Sequence, residues 1–148
     1  MSERLTEALQ AMRDGGRTGV IPYVTVGFPT VADTLAIVPA LEAAGASAIE
    51  LGVPYSDPLA EGPTIQQASL RALKEGVTMN GCIAVARELR DAGVRVPLIF
   101  MGYYNPVLNY GLERYAKDCA EAGVDGFIIP DLPVDEAAPF HDAVRSVG

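Results

Sequence analysis

The chain has 148 residues and a formal net charge of −8, from 19 acidic and 11 basic residues. Apolar residues make up 49% of it, which is enough to build a hydrophobic core and excludes a disordered chain. The acidic balance argues against nucleic-acid binding, and no apolar run approaches the ~18 residues that span a bilayer. Residues 1–5 lack the basic and apolar regions of a signal peptide. These features predict a cytoplasmic protein of one domain, residues 1–148, with no nucleic acid or membrane as partner.

Glycine and proline divide the chain into alternating helical and apolar segments. Apolar residues at helical spacing predict helices at residues 2–13, 30–44, 64–75, 79–92, 111–122 and 134–146. Short apolar runs predict strands at residues 20–26, 48–51, 97–101 and 126–129. Thr64 is the expected cap of the third helix. Pro39 lies inside the second helix, where a proline costs up to ~3 kcal/mol.

An Ala-Gly seam recurs at residues 44–46, 92–94 and 122–124, each time between a helix and the next strand. Repetition of one unit favours parallel strands joined by helical crossovers. Strands that are apolar on both faces fit a sheet covered by helices or closed into a barrel. A (β/α)8 barrel needs eight units, and this sequence supplies four. The chain therefore forms either an open four-stranded α/β sheet or half a barrel with an N-terminal helix.

The cysteines and the single histidine do not indicate a metal or nucleophile site. Cys82 and Cys119 fall at apolar positions of helical segments and are expected to be buried free thiols. His141 lies in a polar helical context and is expected at the surface. Without a His and Cys cluster no zinc site of the usual kind is predicted, and no glycine-rich phosphate loop appears.

Carboxylates are concentrated where the predicted strands end, which is where parallel α/β folds place their sites. Glu50 interrupts an apolar strand, and burial there would raise its pKa toward the range of a general acid or base. A structural salt bridge or a strand end that faces water is the alternative for Glu50. Asp57 and Glu61 on the proline-rich loop bring further carboxylates to the same rim, or that loop is simply solvated. Asp131 follows the last strand, where it can also cap the next helix.

Large side chains at the same strand ends can form the wall of a pocket. An aromatic substrate would suit such walls, although core packing explains each residue equally well. The candidates are Tyr23, Met101, Tyr103 and Ile128.

Four segments of the chain carry a specific resemblance. Residues 50–66 read ELGVPYSDPLAEGPTIQ, and they are accompanied by PYVTVG at 22–27, MGYYNP at 101–106 and PDLP at 130–133. The whole chain strongly resembles the tryptophan synthase alpha subunit family over the first four units of that family's (β/α)8 barrel. The resemblance implies a TIM-barrel fold of which this sequence is an N-terminal half.

The resemblance implies a lyase of tryptophan biosynthesis that cleaves indole-3-glycerol phosphate to indole and glyceraldehyde 3-phosphate by a retro-aldol reaction. Glu50 matches the family's acid/base, and Glu61 falls where the family normally has an aspartate beside the indole nitrogen. One extra methylene shifts that carboxylate by about a bond length, and ~1 Å of misplacement can cost ~10²-fold in rate. Four further positions match the indole site: Tyr23, Met101, Tyr103 and Ile128, with Asp131 beside them.

The resemblance also implies a partner and no cofactor or metal in this chain. The family's alpha subunit pairs with a pyridoxal phosphate-dependent beta subunit in an α2β2 heterotetramer. The positions that correspond to the beta-facing surface are Pro54, Asp57, Asn105 and Pro133. The family's phosphate-binding glycines lie in later strands, so these 148 residues are expected to be weakly active or inactive alone. The alternatives are a non-catalytic module that only binds the beta subunit, or another phosphate-using βα-barrel enzyme.

Overall fold

The computed structural model describes residues 2–16 and 18–148. Met1, part of the segment considered for a signal peptide, lies outside the described residues. The helices are α1 (Glu3–Asp14), α2 (Val31–Ala43), α3 (Pro63–Lys74), α4 (Met79–Asp91), α5 (Tyr104–Tyr110), α6 (Leu112–Glu121) and α7 (Ala138–Arg145), with a 3-10 turn at Val134–Glu136. The strands are β1 (Tyr23–Thr25), β2 (Ile49–Gly52), β3 (Leu98–Met101) and β4 (Gly126–Ile128). No helix within the described ranges is long and apolar enough to cross a membrane.

The four strands form one parallel sheet in the order β1-β2-β3-β4. This sequential order distinguishes between the two predicted architectures. A doubly wound open sheet reverses its strand order and carries helices on both faces. In a sequential sheet every right-handed crossover lies on the same face, which leaves the other face for a barrel interior. The half barrel is therefore confirmed.

The two faces of the sheet have different surroundings. Alternate residues such as Ile49, Leu51 and Phe100 are buried under the crossover helices in the main hydrophobic core. On the opposite face, which we call the inner face, a smaller cluster joins Leu5 of α1 to Ala48 and Ile99. The inner face is therefore only partly covered, and its residues are available to form a site.

The structure differs from the predicted helices in one missed helix and two segments with different boundaries. Residues 104–110 form α5, which the sequence analysis missed. The prediction that Thr64 caps the third helix is wrong, since the cap position is Gly62 and the helix begins at Pro63. Proline is preferred at the first helical position because it needs no N–H partner there. The final segment is a 3-10 turn followed by α7, because Pro139 has no N–H to donate to the carbonyl four residues earlier.

A buried carboxylate ties three segments together at the amino edge of the sheet. The Asp125 side chain is 1% exposed. Its Oδ1 accepts from the Ser2 hydroxyl at 2.8 Å and the Arg4 guanidinium at 2.6 Å. Its Oδ2 accepts from the Arg90 guanidinium and from the Leu98 N–H at 2.9 Å. Burial lowers the pKa of Arg90 to about 10, and the Asp125 charge opposes that shift. We call this cluster the Asp125 clamp, and its place at the amino edge marks it as stabilising.

Both cysteines are buried free thiols, as predicted. Burial raises the pKa of each thiol to about 12, so neither forms a thiolate near neutral pH. We expect an aromatic disulfide reagent to label no thiol in the native chain and two thiols after unfolding in urea. A thiol that reacts rapidly in the native chain would contradict this buried arrangement.

Candidate active site

The register of the sheet places the predicted strand residues on the inner face. Glu50 pairs with Tyr23 on one side and with Ile99 on the other. Since paired residues share a face, Glu50 and Tyr23 face the same space. One layer nearer the carboxyl rim, Met101 pairs with Ile128. The structure thus brings together one carboxylate and three of the four predicted wall residues.

Tyr23 crosses over a glycine of the neighbouring strand. A Cβ atom at Gly52 would lie 2.0 Å from the Tyr23 hydroxyl oxygen, so only glycine leaves room for this ring. The Thr25 hydroxyl donates to the Tyr23 hydroxyl at 3.4 Å. Gly52 of the 50–66 motif is therefore required by the packing of the Tyr23 ring.

The electrostatics place both candidate acid/base residues near this tyrosine. Burial raises the pKa of Glu50 above its ordinary value, as predicted for this position. Burial also raises the pKa of Tyr23, the Thr25 hydrogen bond lowers it, and the charges of Glu61 and then Glu50 raise it further. The two carboxylates therefore act on the same hydroxyl from a strand and from a loop. Two proton-transfer groups on either side of a ligand could be built in this way.

The loop at residues 53–62 carries Glu61 and is ordered by side chains from elsewhere. The Ala60 N–H donates to the Tyr103 hydroxyl at 2.8 Å. The Gln66 side-chain amide donates to the Glu61 carbonyl at 3.0 Å. The backbone of the loop is therefore held by Tyr103, just before α5, and by α3, while its side chains at Asp57 and Leu59 are exposed. The sequence analysis quoted Gln66 in the motif but gave it no role, because no local pattern links it to residue 61.

Asp131 lies at the same rim but is exposed and makes a structural contact. Its carboxylate accepts from the Tyr104 N–H at 2.9 Å, at the start of α5. The helix that it caps is thus α5 and not the helical segment that follows Asp131. The Asp131 charge also contributes to raising the pKa of Tyr103, so the two side chains are neighbours.

The four predicted beta-facing residues surround this rim with different exposures. Asp57, Asn105 and Pro133 are exposed, and Pro54 is buried within the chain. Nearby apolar side chains are unusually exposed, with Leu59 at 92% and Val134 at 88%.

Two further features of the described residues bear on ligands. Within residues 2–16 and 18–148, no three His, Cys, Asp or Glu side chains cluster as metal ligands would. A groove of about 630 Å³ lies beside β4, flanked by α1 and α7. Of the predicted site residues it contains only Ile128, so the site is an open rim and not this groove.

The fold and the rim define a (β/α)-barrel protein with acidic and aromatic side chains at the carboxyl ends of its strands. Residues 9–148 match the family profile described as tryptophan synthase alpha chain. The chain belongs to this family.

Known relatives support this assignment and show what fraction of their length this chain covers. The tryptophan synthase alpha chain of Chloroflexus aggregans is 58% identical over 138 residues, which cover 93% of this chain and 52% of the relative. The solved structure of tryptophan synthase subunit alpha from Legionella pneumophila superimposes with a TM-score of 0.96 at 35% identity, covering 100% of this chain and 56% of that one. A Pyrococcus furiosus structure, described as showing mutual activation of the tryptophan synthase α2β2 complex, gives 0.83 at 39% identity over 88% of this chain and 52% of that one. The chain thus spans about half the length of the relatives it matches.

Proposed function

We propose that this chain supplies the proton-transfer half of a lyase that cleaves indole-3-glycerol phosphate to indole and glyceraldehyde 3-phosphate in tryptophan biosynthesis. The observation that carries the proposal is that Glu50 pairs with Tyr23 on the inner face, while the charge of Glu61 on the neighbouring loop also raises the pKa of the Tyr23 hydroxyl. Family membership identifies the reaction class, and this arrangement supports Glu50 and Glu61 as the side chains of this chain that would serve it.

Retro-aldol cleavage needs a proton delivered to the indole ring and a proton removed from the side-chain hydroxyl. Glu50 suits this chemistry because burial raises its pKa, so that protonated and ionised forms are both accessible nearer neutral pH. Glu61 approaches from the loop and would hold the indole N–H. Glu50 would deliver its proton to the indole ring and take one back from the side-chain hydroxyl, so the two transfers balance, while Glu61 holds the indole N–H.

The wall of the proposed indole pocket comes from side chains with large apolar surfaces. Met101 and Ile128 pair in adjacent strands, and the Tyr103 ring lies next to the Tyr55 ring with centroids 5.1 Å apart. Flat apolar walls favour a planar indole over the polar glycerol phosphate. The phosphate would therefore have to be held by other parts of a complete barrel.

We also propose a beta subunit as partner, with Asp57, Asn105, Pro133 and the loop around Pro54 facing it in an α2β2 assembly. Exposed Leu59 and Val134, which lie next to these residues in sequence, support an interface, because exposed apolar surface is typical of docking surfaces. On this proposal the chain itself needs no cofactor, and pyridoxal phosphate belongs to the partner. Family membership supports a cytoplasmic location.

The proposal is tested by measuring indole release from indole-3-glycerol phosphate by two proteins. One is the 148-residue chain, and the other is the same chain extended with the remaining residues of the Chloroflexus aggregans relative. We expect the extended chain to exceed the 148 residues by roughly 10²-fold or more, since phosphate-binding energy contributes to the rate.

An extended chain that folds and binds the substrate without releasing indole would contradict the proposal. Binding of a beta subunit without cleavage would then favour the non-catalytic alternative. Turnover of a different sugar phosphate would favour another barrel enzyme.

A further inference from the structure

We infer that the hydroxyl of Tyr103 is a positioning group for Glu61, which fixes the backbone of the loop from which the Glu61 side chain extends. The inference rests on the proposed function of Glu61. It assigns to Tyr103 a role beyond that of its ring, which is predicted to line the indole pocket.

The first contact joins the loop to the end of β3. The Tyr103 side chain is buried, with the residue 6% exposed, and its oxygen accepts the Ala60 N–H at 2.8 Å. Ala60 immediately precedes Glu61, and 43 residues separate it from Tyr103 along the chain. This bond therefore fixes the peptide that leads into Glu61 relative to the sheet.

The second contact holds the other side of the same residue. The Gln66 amide of α3 donates to the Glu61 carbonyl at 3.0 Å, and the Glu61 N–H donates to the Pro58 carbonyl at 3.1 Å. The backbone of Glu61 is thus held by its own turn and by α3, while Tyr103 holds the preceding peptide. Three anchors on two residues leave the side-chain torsions as the main freedom of the carboxylate.

Tyr103 is itself well fixed and neutral. Its ring lies 5.1 Å from the ring of Tyr55, whose hydroxyl accepts from the Asn105 amide at 3.3 Å. Burial raises the pKa of Tyr103, the Ala60 amide lowers it, and the Glu61 and Asp131 charges raise it. The Tyr103 hydroxyl therefore stays protonated near neutral pH, and its oxygen accepts the Ala60 N–H through a lone pair.

Positioning matters more here because the loop carries a glutamate. A glutamate side chain has one more rotatable bond than an aspartate, and a misplacement of about 1 Å can cost ~10²-fold in rate. Neighbouring Leu59 is 92% exposed, so packing does little to hold the loop at that point. The hydrogen bonds with Tyr103 and Gln66 therefore determine the backbone position from which the Glu61 side chain extends.

The experiment compares Tyr103→Phe with Tyr104→Phe in the 148-residue chain. Phenylalanine keeps the ring against Tyr55 and removes only the hydroxyl. Tyr104 is the matched control because its ring packs edge-on against Phe140, 6.2 Å away. We expect the Ala60 amide to exchange with solvent about tenfold faster in Tyr103→Phe and unchanged in Tyr104→Phe, as follows from losing one hydrogen bond.

A second readout separates positioning from a general loss of stability. The side-chain carboxyl signals of Glu61 and Glu50 are compared by NMR at one pH. We expect the Glu61 signal to shift in Tyr103→Phe, while the Glu50 signal stays as in the parent chain. In the extended chain, kcat should fall with little change in KM, because the pocket wall keeps its ring.

Unchanged Ala60 exchange and an unchanged Glu61 signal in a folded Tyr103→Phe chain would overturn the inference. Should that variant fail to fold, Gln66→Met removes the opposite anchor, and the Glu61 signal must then move. These readouts need no substrate. If Tyr103→Phe loosens the loop but the extended chain never releases indole, the proposed function is refuted. The inference that Tyr103 positions Glu61 then still holds.

Discussion

Replacing Asp125 by asparagine is expected to lower the free energy of unfolding by about 3–5 kcal/mol, because it removes one partner from a buried ion pair. Each carboxylate oxygen faces two donors in the Asp125 clamp. In the asparagine variant one of these oxygens is replaced by an NH2 group. That group is a donor and faces two other donors, so it can accept neither hydrogen bond. The Arg90 guanidinium, 13% exposed, is left without its counter-charge.

Urea unfolding followed by circular dichroism measures this loss. Glu75→Gln is the matched control, since it breaks an exposed ion pair with Arg71 at 3.0 Å. Such pairs contribute at most about 1 kcal/mol. Equal losses in the two variants would show that the Asp125 clamp does not stabilise the fold.

Replacing Glu50 by glutamine is expected to reduce kcat/KM for indole release by about 10²–10⁴-fold in the extended chain, which is the usual contribution of a general acid or base. The substitution keeps the size of the side chain and removes its titration. Glu113→Gln on the exposed face of α6 is the control and should retain the parent rate. Retained cleavage by Glu50→Gln would remove Glu50 from the mechanism.

The same substitution should change how stability depends on pH. The pKa of Glu50 is raised in the folded chain by burial, from an ordinary value of 4.5. The folded state therefore binds the proton more tightly than the unfolded state, so this contribution to stability is present below pH 4.5 and is lost as the pH rises through the raised pKa. Relative to the parent chain, Glu50→Gln should gain stability across that window in denaturation curves. If Glu50→Gln instead loses stability relative to the parent chain as the pH rises, the pKa of Glu50 is not raised in the folded chain.

Most of the fold could be predicted because its signals are local. Apolar runs located all four strands, and glycine at the recurrent seams marked where helices end and strands begin. Local information also singled out Glu50, since a charged residue within an apolar strand indicates a special environment, but the register of the sheet was needed to place it on the inner face. The sequential order of the strands was not visible in the sequence, so the structure was needed to choose between an open sheet and half a barrel.

What was missed depends on contacts between distant residues. The N–H of Tyr104 at the start of α5 donates to Asp131, which lies 27 residues later in the chain. The helix itself contains Asn105 and Pro106, which suggest a turn. Asp125 was not singled out by the sequence analysis. Its donors come from three separate segments, and no spacing rule connects them.

The Asp125 clamp also constrains the order in which the molecule can be assembled. Ser2 and Arg4 are 123 and 121 residues away from the carboxylate that anchors them. During synthesis α1 is made before β4, yet its binding site on the sheet exists only when β4 has joined β3. Docking of α1 therefore waits for a strand that is made much later, and closing so long a loop is a slow step. Until then the apolar inner sides of Ala48 and Ile99 are not covered by Leu5 of α1.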